Sequence, residues 1–266
     1  MKNLTCLIAF SSMVVAACAD GGGDGDDGEL DASTAEQAIE ASESAEAEGN
    51  LMMATIDGSE MADGDTSEQI AVSIGANVAV RWNPSGCATV QRNGLQLSIV
   101  YNNCTGPRGL VNVTGQLDLE VSLSLDGAIV VHASSADLMV NGAQLAMDAN
   151  AEYRLGIAEH TLTVMTHSSG TGPRGNAIEH NGDYMIAWEP AVQCAQIAGE
   201  WSTTVDERTR SHEVDLRRCL NQCPVGTIVQ RFDADASLTV TFDGTDHASF
   251  MASTGATGTV AISCTR

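Results

Sequence analysis

Five dipeptides constrain this chain more than anything else in it: Asn93-Gly94, Asp126-Gly127, Asn141-Gly142, Asn181-Gly182 and Asp243-Gly244. Asn-Gly and Asp-Gly readily adopt the positive φ angles that tight hairpin turns need. They punctuate runs in which apolar residues recur at every second position. The runs are Leu95, Leu97, Ile99, Tyr101, then Leu117, Leu119, Val121, Leu123, Leu125, then Leu162, Val164, and finally Leu238, Val240, Phe242. A period of two puts one set of side chains on a single face of a strand. The same alternation is read at Ile70, Val72, Ile74 and at Val78, Val80, Trp82. The expected fold is all-β: an antiparallel meander of about 12–16 strands over residues 69–266, as a sandwich, an open sheet or a barrel-like form.

Two short segments recur. Thr105-Gly106-Pro107-Arg108-Gly109 returns as Thr171-Gly172-Pro173-Arg174-Gly175. Trp82-Asn83-Pro84, followed by Cys87-Ala88, is echoed by Trp188-Glu189-Pro190, followed by Cys194-Ala195. In the second pair a strand is expected to end at Trp, Pro stops its hydrogen-bonding ladder, and Cys opens the next strand. The echoes read as a corner repeated by similar β units, with the β region divisible into related halves at 69–190 and 191–266. A binding loop on Arg108 and Arg174 is the weaker reading.

The N-terminus has a separate logic. Lys2 supplies a positive charge, and Leu4 to Ala17 is an apolar stretch of 14 residues interrupted by Thr5, Ser11 and Ser12. That is short of the roughly 20 residues a membrane-spanning helix needs. A charged start, a short apolar core and small residues before a cut form a secretory signal, here residues 1–17. Its end, Val15-Ala16-Ala17-Cys18, resembles the lipobox of bacterial lipoproteins. The resemblance implies cleavage between Ala17 and Cys18, acylation of Cys18 with palmitate-like chains, and attachment to a bilayer. Two or more acyl chains anchor firmly where one does not. Ala19 in place of Asp after the cysteine implies the outer membrane as the address within the cell envelope, periplasmic or surface-exposed.

Charge is distributed unevenly. Between Asp20 and Glu68 lie 16 Asp and Glu with no Lys or Arg, whereas Gln69 to Arg266 carries 19 acids against 11 arginines. Nucleic acid is excluded as a partner, because phosphate binding needs a basic footprint. Residues 18–68 are expected to be a disordered acidic tether, Gly/Asp-rich first and Ala/Glu-rich later. Asp24, Asp26, Asp27 and Asp31 lack the glycine and closing glutamate of a calcium loop. Ser33 to Glu48 has high helix propensity but a single strongly apolar residue, Ile39, so it reads as a solvated spacer. Leu51, Met52, Met53, Ile56 and Met61 form an apolar patch able to dock on the folded part as a short helix or lid.

Once Cys6 leaves with the signal and Cys18 takes lipid, six cysteines remain: Cys87, Cys104, Cys194, Cys219, Cys223 and Cys264. An even number in an exported chain points to disulfides. Symmetry about the expected turns pairs Cys194 with Cys219 across Asp206-Glu207, Cys87 with Cys104 across Asn93-Gly94, and Cys223 with Cys264 across Asp243-Gly244. The Cys87–Cys104 pairing is off register, so a bulge or turn at Asn102-Asn103 must absorb the difference. Cys219 and Cys223 lack a matching ligand pair at zinc spacing, so no metal site is expected.

Catalytic patterns are missing. There is no Gly-x-Ser-x-Gly, no His-Glu-x-x-His and, after Lys2, no lysine for Ser-x-x-Lys. His132, His160, His167, His180, His212 and His247 read as surface or partly buried strand residues, although His160, His167 and His180 could gather. The acidic pairs Asp206/Glu207 and Asp233/Asp235 read as turn residues. Trp82, Trp188 and Trp201 read as core pieces beside the disulfides. The expected protein is a membrane-anchored envelope lipoprotein with a non-catalytic binding or structural β domain and no cofactor. Its partners are the bilayer and a protein or lipid of the envelope. A carrier of a hydrophobic ligand in a curved sheet is the alternative, and an envelope hydrolase is less favoured.

Overall fold

The structure, a computed structural model, describes residues 30–57, 64–107, 109, 111–156, 159–172, 177–189, 194–205, 208–219, 222–233 and 236–262. Two helices, α1 (Ala32–Ile56) and α2 (Ser67–Arg81), precede a meander. Its strands are β1 (Ala88–Asn93), β2 (Gln96–Thr105), β3 (Asn112–Leu123), β4 (Ile129–Val140), β5 (Ala143–Leu155), β6 (His160–Thr171) and β7 (Ala177–Glu189). Then come β8 (Cys194–Val205), β9 (Arg208–Cys219), β10 (Val225–Asp233), β11 (Ala236–Asp243), β12 (His247–Ala252) and β13 (Thr257–Ala261). All 13 form one antiparallel sheet in sequence order, open between β1 and β13. The fold is all-β in class. β7 and β8 pair from Ile178↔Val205 to Glu189↔Cys194, so the sheet runs continuously across the expected boundary between the halves.

Of the alternating runs read from the sequence, Leu97, Ile99 and Tyr101, Leu117, Leu119 and Val121, Leu162 and Val164, and Leu238, Val240 and Phe242 are buried, whereas Leu95, Leu123 and Leu125 at the turns are exposed. Along β5, Ala143, Leu145, Met147, Ala149, Ala151 and Tyr153 are buried while the intervening residues face out. The turns at Asn93-Gly94, Asp126-Gly127, Asn141-Gly142 and Asp243-Gly244 fall between consecutive strands. Asn181-Gly182 does not: it lies inside β7, where Gly182 pairs with Thr166 on one side and Trp201 on the other. A Cβ there would sit 2.9 Å from the Tyr184 ring and 3.1 Å from His180 Nε2. The glycine makes room for its neighbours and no turn is built.

The strand expected at 70–82 is the helix α2. A capping box starts it: Gln69 N donates to Thr66 Oγ1 at 3.3 Å and Thr66 N donates to Gln69 Oε1 at 2.8 Å. Ile70, Ala71, Ile74, Asn77 and Val78 are buried at helical spacing, while Val72 and Val80 of the apparent alternation are exposed. Trp82 is accordingly the C-cap of α2, not the end of a strand.

The tether is also shorter than expected. Residues 1–29 and 58–63, with Asp24, Asp26, Asp27 and Met61, lie outside the described residues, but α1 belongs to the folded part. Asp31 caps it, accepting from Thr34 N at 3.1 Å. Alanines at 35, 38, 45 and 47 are buried, and Leu51, Met52, Met53 and Ile56 are fully buried. Each of those four large side chains contributes about 1.5–3 kcal/mol by leaving water, whereas an alanine methyl contributes about 0.8. The helix is therefore held mainly by its C-terminal third. Gly49 marks its closest approach: a Cβ there would lie 2.7 Å from Ile186 Cδ1 and 3.0 Å from the Tyr184 ring.

The sheet must curl around α1. Thr55 Oγ1 lies 3.3 Å from the Tyr101 hydroxyl on β2, and Trp188 Nε1 on β7 donates to Asp57 Oδ1 at 3.3 Å. Thr55 and Asp57 are two residues apart, yet β2 and β7 in a flat sheet lie about 24 Å apart. The concave face thus wraps α1, which also contacts β8 to β11 and β13, while α2 lies on β1 to β3.

Cys87–Cys104 and Cys194–Cys219 are disulfides. The second joins directly paired residues of β8 and β9. The first uses the anticipated irregularity: the β2–β3 register shifts between Tyr101 and Cys104, and Asn103 has φ 51°. Cys223 is disulfide-bonded as well; its expected partner Cys264 lies outside the described residues.

Candidate functional site

Most inward positions of the sheet are apolar, but β6 to β10 break the rule beneath α1. Inward periodicity places Thr166 and Ser168 on β6, His180 and Tyr184 on β7, Trp201 and Thr203 on β8, His212 on β9 and Gln230 on β10, all buried. The pairing aligns them into two adjacent rows. One runs Thr166, Gly182, Trp201, His212, Gln230; the other runs Ser168, His180, Thr203. Above them α1 contributes Glu48, 2% exposed, whose carboxylate accepts from Thr166 Oγ1 at 2.9 Å and Ser168 Oγ at 2.5 Å.

The rings cluster around Trp201, which stacks on His212 and meets His180 tilted and Tyr184 edge-on. Trp201 lies 6.0 Å from His212 at an interplanar angle of 24°, 6.2 Å from His180 and 6.3 Å from Tyr184. His180 Nδ1 is 3.3 Å from Thr203 Oγ1. Beyond that bond and the Glu48 pair, the row is unsatisfied. Among the described residues, His180 Nε2, the Tyr184 hydroxyl, Trp201 Nε1, both nitrogens of His212 and Gln230 Oε1 have no hydrogen-bond partner. An unmet buried polar group costs about 1–3 kcal/mol, so six atoms in one band demand an explanation.

Burial keeps these side chains uncharged. It holds the His180 pKa below the ordinary histidine value, with the charge of Glu48 opposing and His167 adding to the drop. It pushes His212 down to about 3, helped by His180 and Arg210. The Tyr184 phenol is raised by burial and by Glu48. The row is thus a neutral surface of donors and acceptors.

A second cluster sits where α1 ends. His160 Nδ1 is hydrogen-bonded to the Tyr153 hydroxyl at 2.8 Å and lies 3.9 Å from Asp57 Oδ1. Tyr153 and Trp188 stack at 5.7 Å and 10°. Asn77 Nδ2 donates to the Asp57 carbonyl at 2.8 Å, and Arg81 donates to it too, so this cluster locks α1 to α2 and β7. On the convex face a shallow groove of about 400 Å³ is lined by Arg92, Gln96, Ser98, Asp118, Glu120, His132 and Ser134. His132 Nε2 pairs there with Asp148 Oδ2 at 3.1 Å.

The other sequence candidates are dispersed. His160, His167 and His180 do not gather: His160 pairs with Trp188 at one end of β7, and His167 is exposed beside Asn181 on the face opposite His180. His247 is exposed against Asp246. Trp82, Trp188 and Trp201 are all buried. Cys18, Ala17, Arg108, Arg174, Asp206, Glu207 and Asp235 lie outside the described residues. Sequence reasoning missed Glu48, Tyr184 and Gln230. The signal was present for the strand residues: in Arg210-Ser-His212-Glu-Val214-Asp-Leu216, the inward period of Val214 and Leu216 puts His212 inside.

Compared with protein-family models, curated proteins and solved structures, the chain matches none.

Proposed function

We propose that this chain is a lipid-anchored protein of the cell envelope, held in the outer membrane by acyl chains on Cys18, whose curved sheet is a non-catalytic binding module. The observation that carries the reading is the seating of α1. The helix whose cap, Asp31, stands 13 residues after the lipobox cysteine fills the concavity and roofs a buried polar row. Even fully extended, 13 residues reach about 45 Å, so the module stays close to its bilayer. Disulfides fit an oxidising compartment. The acid-rich N-terminal third disfavours nucleic acid. The hydrophobic-carrier alternative has less support, because Leu51, Met52, Met53, Ile56 and α2 already cover the apolar part of the concave face.

Metabolic labelling with a fatty-acid analogue, followed by membrane fractionation, tests the anchor. Label on the wild-type chain, with loss of label and release to the soluble fraction in Cys18→Ala, is the expected result. An unmodified mature N-terminus at any residue other than Cys18 overturns it.

A further inference from the structure

We propose that the row His180, Trp201, His212 and Gln230 is a binding site for a small neutral polyol or sugar, reached when the N-terminal part of α1 lifts from the sheet. The inference rests on the binding-module reading and names its ligand class.

The chemistry of the row sets that class. Trp201 Nε1 only donates, Gln230 Oε1 only accepts, and a neutral imidazole at His212 does one at each nitrogen. Among the described residues all of these atoms, with His180 Nε2 and the Tyr184 hydroxyl, are unpartnered and sealed from solvent. A hydroxyl both donates and accepts, so a molecule carrying several hydroxyls can answer mixed donors and acceptors arrayed on one surface. A charged ligand is disfavoured: it would sit desolvated among neutral groups, an anion would be repelled by Glu48, and a cation would have to draw Glu48 from its two hydroxyls. The one carboxylate at the site, Glu48, belongs to the roof and is engaged by Thr166 and Ser168. From β7 to β10 the band measures about 14 Å, a span that matches one sugar ring once α1 has lifted and is too short for a polymer.

The construction of α1 sets the route. Among the described side chains of residues 32–47 it meets the sheet through Ala35, Ala38, Ala45 and Ala47 and the partly buried Ile39, with Gln37–Arg210 and Glu46–Arg218 among its polar ties. From Glu48 onward it is pinned by large side chains and by the close approach at Gly49. The weakly held part can leave while the C-terminal part stays.

The test uses the full mature chain. Equilibrium binding is measured for glycerol, myo-inositol, glucose and N-acetylglucosamine, with glucuronate and glucosamine as charged counterparts. Hydrogen exchange of α1 is followed in parallel. Saturable binding of at least one neutral probe, preferred over the charged ones, is expected. Gln230→Met should weaken it about tenfold, the worth of one hydrogen bond, while Arg92→Ala on the convex groove leaves it unchanged. If Gln230→Met fails to fold by circular dichroism, His212→Phe takes its place. Residues 32–47 should exchange faster than 51–56 and slow on ligand addition.

Three results overturn the proposal: no neutral probe binding below about 10 mM, the weak end of specific recognition; binding unaffected by Gln230→Met or its substitute; or uniform slow exchange along α1. In the first case the row holds ordered water only. A chain acylated at Cys18 that binds no probe rejects this ligand while the anchored-module reading stands.

Discussion

Ser168 donates its hydroxyl to the carboxylate of Glu48 at 2.5 Å, joining β6 to α1 across 120 residues of sequence. With Thr166 donating to the other oxygen, a buried carboxylate is held by two hydroxyls. Glu48→Ala strands both hydroxyls in a dry interior and is expected to lower unfolding free energy by about 2–4 kcal/mol. Glu48→Gln, which keeps an acceptor, should lose about half as much. Urea denaturation measures both; an unchanged midpoint in Glu48→Ala would remove α1 from the core.

Acid should weaken the fold through its buried histidines. Unfolded imidazoles take up protons near pH 6.5. In the fold, burial holds His180 below that value and His212 near about 3. Between the folded and unfolded values the unfolded chain binds more protons, so stability falls as pH falls and is fully present above pH 6.5. For His212 alone, the loss between pH 6.5 and pH 4.5 is about 2–3 kcal/mol at about 1.4 per unit. His212→Phe should flatten the slope by that amount in denaturation curves at the two pH values.

The cross-strand disulfide Cys194–Cys219 spans a sequence separation of 25 residues. Its removal in the double serine variant should cost about 3 kcal/mol by releasing the unfolded chain. Non-reducing peptide mapping should give Cys87–Cys104 and Cys194–Cys219, with the remaining pair Cys223–Cys264. A peptide linking Cys219 to Cys223 would contradict the register of β8 and β9.

Gly49→Val separates a packed helix from a spacer. On a solvated helix, replacing glycine is neutral or slightly favourable. Here the new side chain meets Ile186 and the Tyr184 ring, and a loss of about 2–3 kcal/mol is expected. A thermal melt that is unmoved or higher would show that α1 does not seat against β7.

What could be read from the sequence was local. Turns such as Asn141-Gly142, the inward period of Leu117, Leu119 and Val121 on β3 and of Leu238, Val240 and Phe242 on β11, and a bulge near Asn103 follow from neighbours in the chain, and all appear. The helices were misread because their burial comes from partners far away. Ile70 and Ile74 fit a strand and a helix equally; the buried Ala71 and Asn77 decide for the helix, and both are weak signals in a hydrophobicity pattern. Likewise α1 looked like a spacer because alanine is a poor marker of burial, although alanine is what a helix needs to approach a curved sheet closely. The polar row was missed for a related reason. Its members are spread one or two to a strand, and only the pairing of five strands assembles them.

The strand order has a consequence for timing. Every strand pairs with its sequence neighbour, so the sheet can grow hairpin by hairpin as the chain emerges. The helix α1 cannot follow that schedule. It comes before all the strands, yet its contacts run as far as β10, β11 and β13. A chain that appears N-terminus first presents α1 before any of its binding surface has formed. Its contacts with β10, β11 and β13 must wait until those strands arrive. Completion of the interior therefore follows the arrival of β13, and the first helix closes over the last strand of the sheet.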